Sequence, residues 1–327
     1  MISPVERIPA CLFINDLLRV FGSRLTLYNC RPEDALISSY IFRKAWIWIL
    51  LVGVLLFFGA NAALRWTGNP NFFPTVIMLG AFIVPLAYVV FFYEHVRDRN
   101  IPVLLLGVCF LVGGALGIIA AGFLHYAVLR EADLLGLLKI GIIEESSKLI
   151  LPILLFLAWR FHHQADGLLF GISAGMGFAA LETMGYGLAA LIESQGDPAA
   201  VEQVLLIRGL LSPAGHAAWT GIVCAVLWGE RVKFRRVTIN ARVLGAFVLA
   251  VVLHTAWNAF SLFRLPDALT YTGMITVGIL SLGTLLALYH QARLTPAVPV
   301  ALENLLDLAA EGDEQATLLH QEGNSKK

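Results

Sequence analysis

Residues 134–159 read LLGLLKIGIIEESSKLILPILLFLAW, an apolar run that contains four charged side chains. A helix of about 20 apolar residues crosses the roughly 30 Å hydrocarbon core of a bilayer, so the length of this run predicts a membrane-spanning helix. Each charged residue near the centre of such a helix costs about 2.5–3.5 kcal/mol on insertion scales. The run therefore predicts a span whose charged residues have partners or a function.

Apolar runs of spanning length recur along the rest of the chain. The predicted spans are 45–64, 74–93, 102–124, 134–159, 167–192, 209–228, 243–263 and 270–289. The composition agrees, because 58% of the 327 residues are apolar and 14% are charged, against roughly 45–50% and about 25% in a soluble protein. The sequence therefore predicts an all-α, polytopic integral membrane helix bundle with about eight transmembrane helices.

The charge and the cysteine content exclude two other classes of protein. The chain has 23 basic and 23 acidic side chains, whereas a nucleic-acid-binding protein has an excess of basic residues. It has four cysteines, of which Cys109 and Cys224 lie inside apolar runs and Cys11 and Cys30 lie near the N-terminus. We expect no disulfide and no nucleic-acid partner.

The Lys and Arg residues between the spans predict the orientation, because basic loops stay on the cytoplasmic side. One set of segments holds 17 basic residues and the other set holds four. The basic set is 1–44, 94–101, 160–166, 229–242 and 290–327. Both termini are therefore predicted to be cytoplasmic, and the acidic loop with Glu193, Asp197 and Glu202 is predicted to face outward.

The chain divides into five predicted parts. These are a cytoplasmic N-terminal segment (1–44), spans one to three (45–133), a catalytic four-helix core (134–263), the last span (264–289) and a partly disordered cytoplasmic tail (290–327). Spans one to three contain no Asp, Glu, Lys, Arg or His. They are predicted to be packing helices, so we expect the chemistry in the core.

Spans four to seven carry polar groups, and four of them are predicted to lie at one depth. These groups are Lys139, Glu144, Glu145, Lys148, Glu182, His216, His254 and Asn258. Glu144 and Glu182 are equidistant from the loop between their helices, and so are His216 and His254. At about 1.5 Å of rise per residue, the four lie roughly 17–22 Å inside the cytoplasmic helix ends. A common level indicates a metal site or a proton-transfer site in the bundle core.

The charges in this core leave two alternatives open. Three glutamates and Lys148 leave a surplus of two negative charges, which suits a divalent cation such as zinc, since carboxylates and imidazoles are zinc ligands. Without a metal, at least one glutamate is expected to be protonated.

The backbone near the polar groups contains bend and packing signals. Pro152 cannot donate to the carbonyl of Lys148, and Pro213 precedes His216 by three residues, so both helices are predicted to bend. Small residues recur every fourth position in span five, at Gly167, Gly171, Gly175, Ala179, Thr183 and Gly187. This ridge is predicted to serve close helix packing.

Four short motifs lie on the four core spans in order. They are EESSK at 144–148 (E-E-x-x-K), Phe178 with Glu182 (F-x-x-x-E), His216, and HTAWN at 254–258 (H-x-x-x-N). Together they resemble the PrsW family of intramembrane proteases, within the superfamily that includes the CAAX prenyl proteases and bacteriocin-processing enzymes. The resemblance covers residues 134–263.

The resemblance implies an intramembrane peptidase that cleaves a membrane-associated protein or peptide, with Glu144 or Glu145 activating a water. It implies Glu182, His216 and His254 as metal ligands, with zinc expected, or as water-positioning groups in a metal-free glutamate mechanism. Adjacent residues on a helix point about 100° apart, so one glutamate is expected to act and the other to support it.

Two further site residues follow from the same motifs. Lys148 is expected to neutralise Glu144 or Glu145 at helical spacing. Asn258, where some relatives carry Asp, is expected to donate a hydrogen bond to the oxyanion. The resemblance also implies a single-span membrane protein or a peptide precursor as substrate, possible action on an anti-sigma-type regulator, and location in a cell inner membrane.

Two other functions are compatible with intramembrane Glu and His, namely a proton-coupled transporter and a non-catalytic scaffold. Transporters commonly have two related halves, but spans one to three have no polar counterparts of the core. The sequence contains no H-E-x-x-H, which excludes the zincin type. Ser173, in GISAG, lies about 9 Å into its helix against about 17 Å for His254, so we expect it to pack rather than react.

Overall fold

The computed structural model describes residues 44–96, 101–128, 134–158, 161–234, 236–263 and 266–294. Within these ranges the chain forms eleven α-helices and no strand. The predicted N-terminal segment 1–44, apart from Lys44, and the predicted tail beyond Leu294 lie outside the described residues. The same holds for Cys11 and Cys30, whereas Cys109 and Cys224 are buried and free.

The helices are numbered here in chain order. They are α1 Ala45–Thr67, α2 Phe73–His95, α3 Val103–Val108, α4 Gly114–Val128, α5 Leu134–Lys148, α6 Ile150–Leu157, α7 Gln164–Glu193, α8 Pro198–Leu211, α9 His216–Phe234, α10 Ala241–Leu262 and α11 Asp267–Leu294. A π-helical segment, Cys109–Gly113, joins α3 to α4. Short 3-10 turns, Pro70–Phe72 and Ser212–Ala214, precede α2 and α9.

Seven helical segments among the described residues are long and apolar enough to cross a membrane. They are Ala45–Thr67, Pro70–His95, Val103–Ala127, Gln164–Glu193, Pro198–Phe234, Ala241–Leu262 and Asp267–Leu294. The chain is therefore a polytopic helical membrane protein, as the sequence predicts.

The predicted span at 134–159 forms as two shorter helices, α5 and α6, which is why seven and not eight uninterrupted segments are found. The break falls at Leu149, whose N–H bonds the Ser146 carbonyl at 3.2 Å. Pro152 has no N–H with which to bond the Lys148 carbonyl, so the helix cannot continue unbroken. The predicted bend is thereby confirmed.

The predicted outward loop 193–208 is largely helical. Asp197 caps α8 by accepting the Ala199 N–H at 2.9 Å, and Pro198 occupies the first helical position. These are ordinary helix-start signals, but a search for apolar runs passes over a helix with Glu202 and Arg208 in it. The Ser212–Ala214 turn, which contains Pro213, separates α8 from α9 and confirms the second predicted bend.

The small-residue ridge of α7 packs against α9. A Cβ atom at Gly171 would lie 2.6 Å from the Thr220 carbonyl oxygen, and one at Gly167 would lie 2.6 Å from the Cys224 carbonyl oxygen. Both distances are shorter than real Cβ contacts, so only glycine permits this approach of the two backbones. The predicted packing role of the ridge is confirmed.

The first half of α7 forms the centre of the bundle, since every residue from Gly167 to Ala180 is buried. Ser173 is among them, and its hydroxyl donates to the Leu106 carbonyl at 2.8 Å, which agrees with a packing role. At the predicted cytoplasmic end, Trp228 packs between aromatic rings and donates its indole N–H to the Phe161 carbonyl at 3.0 Å. Aromatic packing therefore stabilises this half of the bundle.

Candidate active site

Six of the charged or imidazole side chains of the predicted core spans meet in a single contact network. They are Glu144, Glu145 and Lys148 on α5, Glu182 on α7, His216 at the start of α9 and His254 on α10. The equal depth expected from the loop positions therefore agrees with the structure. Lys139, on the same helix as the glutamates, lies outside this network in the part of the chain that the structure describes.

Glu145 lies at the inner side of the network and is 1% exposed. Its Oε1 atom accepts a hydrogen bond from Lys148 Nζ at 2.7 Å and lies 2.8 Å from His254 Nδ1. Its Oε2 atom accepts the Thr220 hydroxyl at 3.4 Å. A carboxylate held by three side chains is suited to fixing its neighbours rather than to reacting.

Lys148 is completely buried and links the two glutamates of α5 to His216. Its Nζ atom lies 2.7 Å from His216 Nδ1 and 3.4 Å from Glu144 Oε2, in addition to its contact with Glu145. It also lies 4.3 Å from the centroid of the Phe178 ring. The ammonium thus has both predicted glutamates as partners, which is the arrangement that neutralisation requires.

Glu182 and His216 form the outer part of the network with a residue that the sequence interpretation missed. His216 Nε2 lies 3.0 Å from Glu182 Oε2, and Arg208 Nη2 lies 2.6 Å from the same oxygen. Arg208 also stacks on the Tyr186 ring, 3.8 Å from its centroid. The prediction had assigned Arg208 to an outward loop, and only the path of α8 brings it to the glutamate.

Glu144 borders a cavity of about 720 Å³ and is 6% exposed. Its Oε2 atom lies 3.6 Å from His254 Nε2, and its Oε1 atom lies 3.9 Å from His125 Nε2. The lining of the cavity also includes Glu182, His216, His254, Trp219 and Asn258, but not Glu145 or Lys148. Of the two adjacent glutamates, Glu144 is therefore the one that faces the cavity.

Trp219 and Asn258 complete the wall near His254. The Trp219 ring stacks on the His254 ring with centroids 4.5 Å apart and donates its indole N–H to Ser281 at 3.0 Å. Asn258 lies on the same wall, one turn from His254, but within the described residues its side chain has no hydrogen bond to the network. The structure thus brings together every predicted site residue except Asn258, which shares only the cavity.

The cavity lies toward one end of the bundle. Its outer lining comes from the ends of helices that lead into 129–133, 194–197 and 263–266, for example Ala189 and Leu262. These connecting segments belong to the set with few basic residues. At the opposite end of the bundle, the rings of Phe156 and Phe170 pack around Trp228.

The predicted metal site does not fit the residues as they are arranged. Among the described residues, no three His, Cys, Asp or Glu side chains are grouped so that they could hold a metal ion. In the predicted set, Glu182 pairs with His216, while His254 pairs with Glu145 and Glu144. Arg208, which the expected surplus of two negative charges did not include, lowers that surplus to one and weakens the charge argument for a divalent cation.

Comparison with known proteins gives one match. Residues 101–286, more than half of the chain, match the family model described as PrsW family intramembrane metalloprotease. Neither the curated proteins nor the solved structures contain a match to the chain. The matched range extends beyond the four core spans and includes α3 and α4.

Proposed function

The chain belongs to the PrsW family of intramembrane metalloproteases, and we propose that Glu144 is the base with which it hydrolyses a peptide bond. The protein is a multi-pass membrane peptidase, so its substrates are membrane proteins or peptides and its surroundings are lipid. The observation that carries the proposal is the position of Glu144 on the cavity wall, where its carboxylate lies 3.6 Å from His254 Nε2.

The division of work between the adjacent glutamates follows from their surroundings. A general base must reach the reacting water, and Glu144 borders the cavity whereas Glu145 does not. Glu145 holds His254 Nδ1 and Lys148 Nζ instead. We therefore propose Glu145 and Lys148 as positioning residues for His254 and Glu144.

The proposed reaction uses a water in the cavity. The Glu144 carboxylate takes a proton from this water as the water oxygen attacks the carbonyl carbon of the substrate, and the carbonyl electron pair moves onto its oxygen. The Asn258 amide donates a hydrogen bond to that oxygen. Glu144 then returns the proton to the amide nitrogen, the electron pair returns to form the carbonyl, and the carbon–nitrogen bond breaks.

Two paired groups support this reaction from the cavity wall. His254, fixed by Glu145 and by stacking on Trp219, keeps one ring nitrogen directed at the base. His216 contacts Glu182 through Nε2 and Lys148 through Nδ1, so the buried ammonium has an imidazole partner in addition to the two glutamates. Each ring is therefore preorganised by contacts on both nitrogens.

The description of the family as metalloproteases implies a divalent metal. Zinc held by Glu182, His216 and His254 is the proposal made from the sequence, and no step above depends on it because these residues do not fit a metal as arranged. Elemental analysis of purified wild-type protein beside a His216→Ala/His254→Ala variant tests it. Stoichiometric zinc that is lost in the variant supports the metal site.

We propose that substrates enter from the extracytoplasmic side. Part of the cavity lining lies at the helix ends whose connecting segments have few basic residues, and the positive-inside rule assigns these ends to that side. Its volume lies in the range of roughly 300–1,000 Å³ that is usual for ligand sites. The proposed substrate is a single-span membrane protein or a peptide precursor, with an anti-sigma-type regulator as one candidate, in a bacterial inner membrane. No contact in the described residues favours the transporter or scaffold alternatives.

The test uses proteoliposomes that contain the protein and a library of single-span reporter proteins with randomised residues around the outer end of the span. Wild-type protein is expected to cut a subset, with the cut at that end when mapped by mass spectrometry. Glu144→Gln is expected to lower the rate about 100- to 10,000-fold, because a general base contributes by that factor. Glu202→Gln, which changes a glutamate paired with Arg65 outside the site, is the matched control.

Several results would contradict the proposal. They are full activity of Glu144→Gln in a folded protein, failure of the wild-type protein to cut any reporter, and cuts only at the cytoplasmic end of the span. The last would leave Glu144 as the base but reverse the side from which substrates enter.

A further inference from the structure

A seventh titratable side chain borders the active-site cavity from a helix without a motif. His125 lies in the last turn of α4, and its imidazole lines the cavity next to Glu144. The predicted third span ends at residue 124, one residue before His125, and His125 was therefore not among the predicted site residues. None of the four motifs includes it.

The Nε2 atom of His125 is buried and has no hydrogen-bond partner among the described residues. A buried polar atom without a partner costs about 1–3 kcal/mol and calls for an explanation. The imidazole as a whole is partly accessible, with 27% of its side chain exposed. Its unpartnered nitrogen lies toward the Glu144 carboxylate, and other atoms of the ring are accessible.

The distance between His125 and Glu144 suits a shared water. Nε2 lies 3.9 Å from Glu144 Oε1, which is too long for a direct hydrogen bond. One water that bonds both atoms at about 2.8 Å, with an angle of roughly 90–105° at its oxygen, spans roughly 3.9–4.5 Å between them. A polar separation of this size between two cavity-lining groups is thus the geometry of a bridged pair.

We propose that His125 is a further catalytic residue, which holds the attacking water together with Glu144. This inference rests on the proposed function, because it assigns a second contact to the water that Glu144 activates. The water gives one hydrogen to Glu144 Oε1 as its proton and directs the other to His125 Nε2 as a hydrogen bond. One lone pair of its oxygen is then free to attack the carbonyl carbon.

A second acceptor is needed because one carboxylate does not fix the orientation of the attacking water. A water bound by Glu144 alone rotates about that hydrogen bond, so its lone pairs have no fixed direction. A second acceptor on another helix removes this freedom, and orientation of this kind changes rates by about 100-fold. His254, on the Oε2 side of Glu144, lies opposite and is already held by Glu145.

The experiment compares three variants on a reporter that the wild-type protein cuts in proteoliposomes. His125→Leu removes the acceptor at similar size, and His125→Gln places an amide oxygen near the position of Nε2. His95→Leu is the matched control, because His95 lies in the last turn of α2 and does not line the cavity. Initial rates over a range of reporter density separate kcat from KM, and thermal unfolding confirms that each variant is folded.

We expect His125→Leu to lower kcat about 100-fold with KM changed less than about 2-fold, since a water and not the substrate loses its contact. His125→Gln is expected to restore kcat to within about 10-fold of wild type, and His95→Leu to match wild type. Wild-type kcat for folded His125→Leu overturns the inference. So does a His125→Gln variant as slow as His125→Leu, because a restored acceptor then has no effect.

Glu144→Gln in the same assay keeps the two proposals apart. If it is inactive while His125→Leu is fully active, Glu144 remains the base and only the role of His125 fails. If Glu144→Gln is active, the proposed function fails first. If His125→Leu does not fold, His125→Asn replaces it, because its amide is too short to reach the bridging position, and the same loss of kcat is expected.

Discussion

The two halves of α7 differ although they belong to one uninterrupted helix. From Gly167 to Ala180 every residue is buried against α9 and the π-helical segment, whereas from Leu181 to Glu193 buried and accessible positions mix. The first half has glycines that admit a neighbouring backbone, and the second half carries Glu182 on the cavity wall. One continuous helix thus forms both part of the buried core of the bundle and one wall of a polar cavity.

The active-site network lies at the boundary between these halves. Lys148 and Glu145 face the packed half and are buried, while Glu144 and Glu182 face the cavity. Buried charges are tolerated only when partners are held in place, and the close packing of α7 on α9 holds His216 where Lys148 needs it. The difference indicates that the closely packed half of α7 holds the buried charges in place, while the other half leaves Glu144 and Glu182 on the cavity wall.

The largest effect is expected from removing the cation at the boundary. Lys148→Met leaves Glu145 and His216 without their shared partner, and breaking a buried ion pair costs about 3–5 kcal/mol. Thermal unfolding in detergent, followed by tryptophan fluorescence, measures it. Lys139→Met, nine residues earlier on the same helix, is the control and is expected to change stability by less than about 0.5 kcal/mol.

The double variant Lys148→Met/Glu145→Gln sharpens this prediction, because it removes the uncompensated charge as well. It is expected to be more stable than Lys148→Met alone. Equal stability of Lys148→Met and Lys139→Met would show that the buried network does not hold the two halves together.

An intermediate effect is expected from filling the contact between α7 and α9. Gly171→Val places side-chain atoms against the Thr220 carbonyl and is expected to cost about 1–3 kcal/mol through overpacking. Gly185→Val makes the same change in the open half, where a Cβ atom would meet nothing within 4 Å. The contrast between the two melting temperatures tests the comparison directly, and two equal shifts would contradict it.

The smallest effect is expected for the ion pairs near the outer end of the bundle. Arg208→Gln removes a partner of Glu182 from a partly buried pair, whose side chains are 28% and 19% exposed, and is expected to cost about 1 kcal/mol. Arg65→Gln breaks the more exposed pair with Glu202, where Arg65 is 49% exposed, and is expected to cost less. A larger loss of stability for Arg65→Gln than for Arg208→Gln would contradict the expectation that the ion pair beside the cavity contributes more to stability.

Much of the fold follows from the sequence alone. Apolar length predicts the membrane helices, Pro152 and Pro213 predict the two bends, and the small-residue ridge predicts the α7–α9 contact. Loop symmetry predicts that Glu144, Glu182, His216 and His254 lie at one level. Each of these signals is local, or depends only on distances along the chain.

The remaining features depend on how the helices are rotated and where they cross. The 100° between Glu144 and Glu145 is a property of any α-helix, but which of them faces the cavity depends on the neighbours of α5. Arg208 was missed because α8 is too polar for an apolar search, and His125 because it lies one residue past a predicted boundary. Partners on different helices leave no signal in the spacing of either one.

The π-helical segment Cys109–Gly113 sets the direction of a side chain about three turns further along the chain. A π-helical turn accommodates an inserted residue, and one residue of α-helix corresponds to a rotation of about 100° about the axis. The residues of α4, including His125, are therefore turned relative to an unbroken continuation of α3. The direction in which the α4 side chains point is thus set by an apolar segment about three turns away from His125.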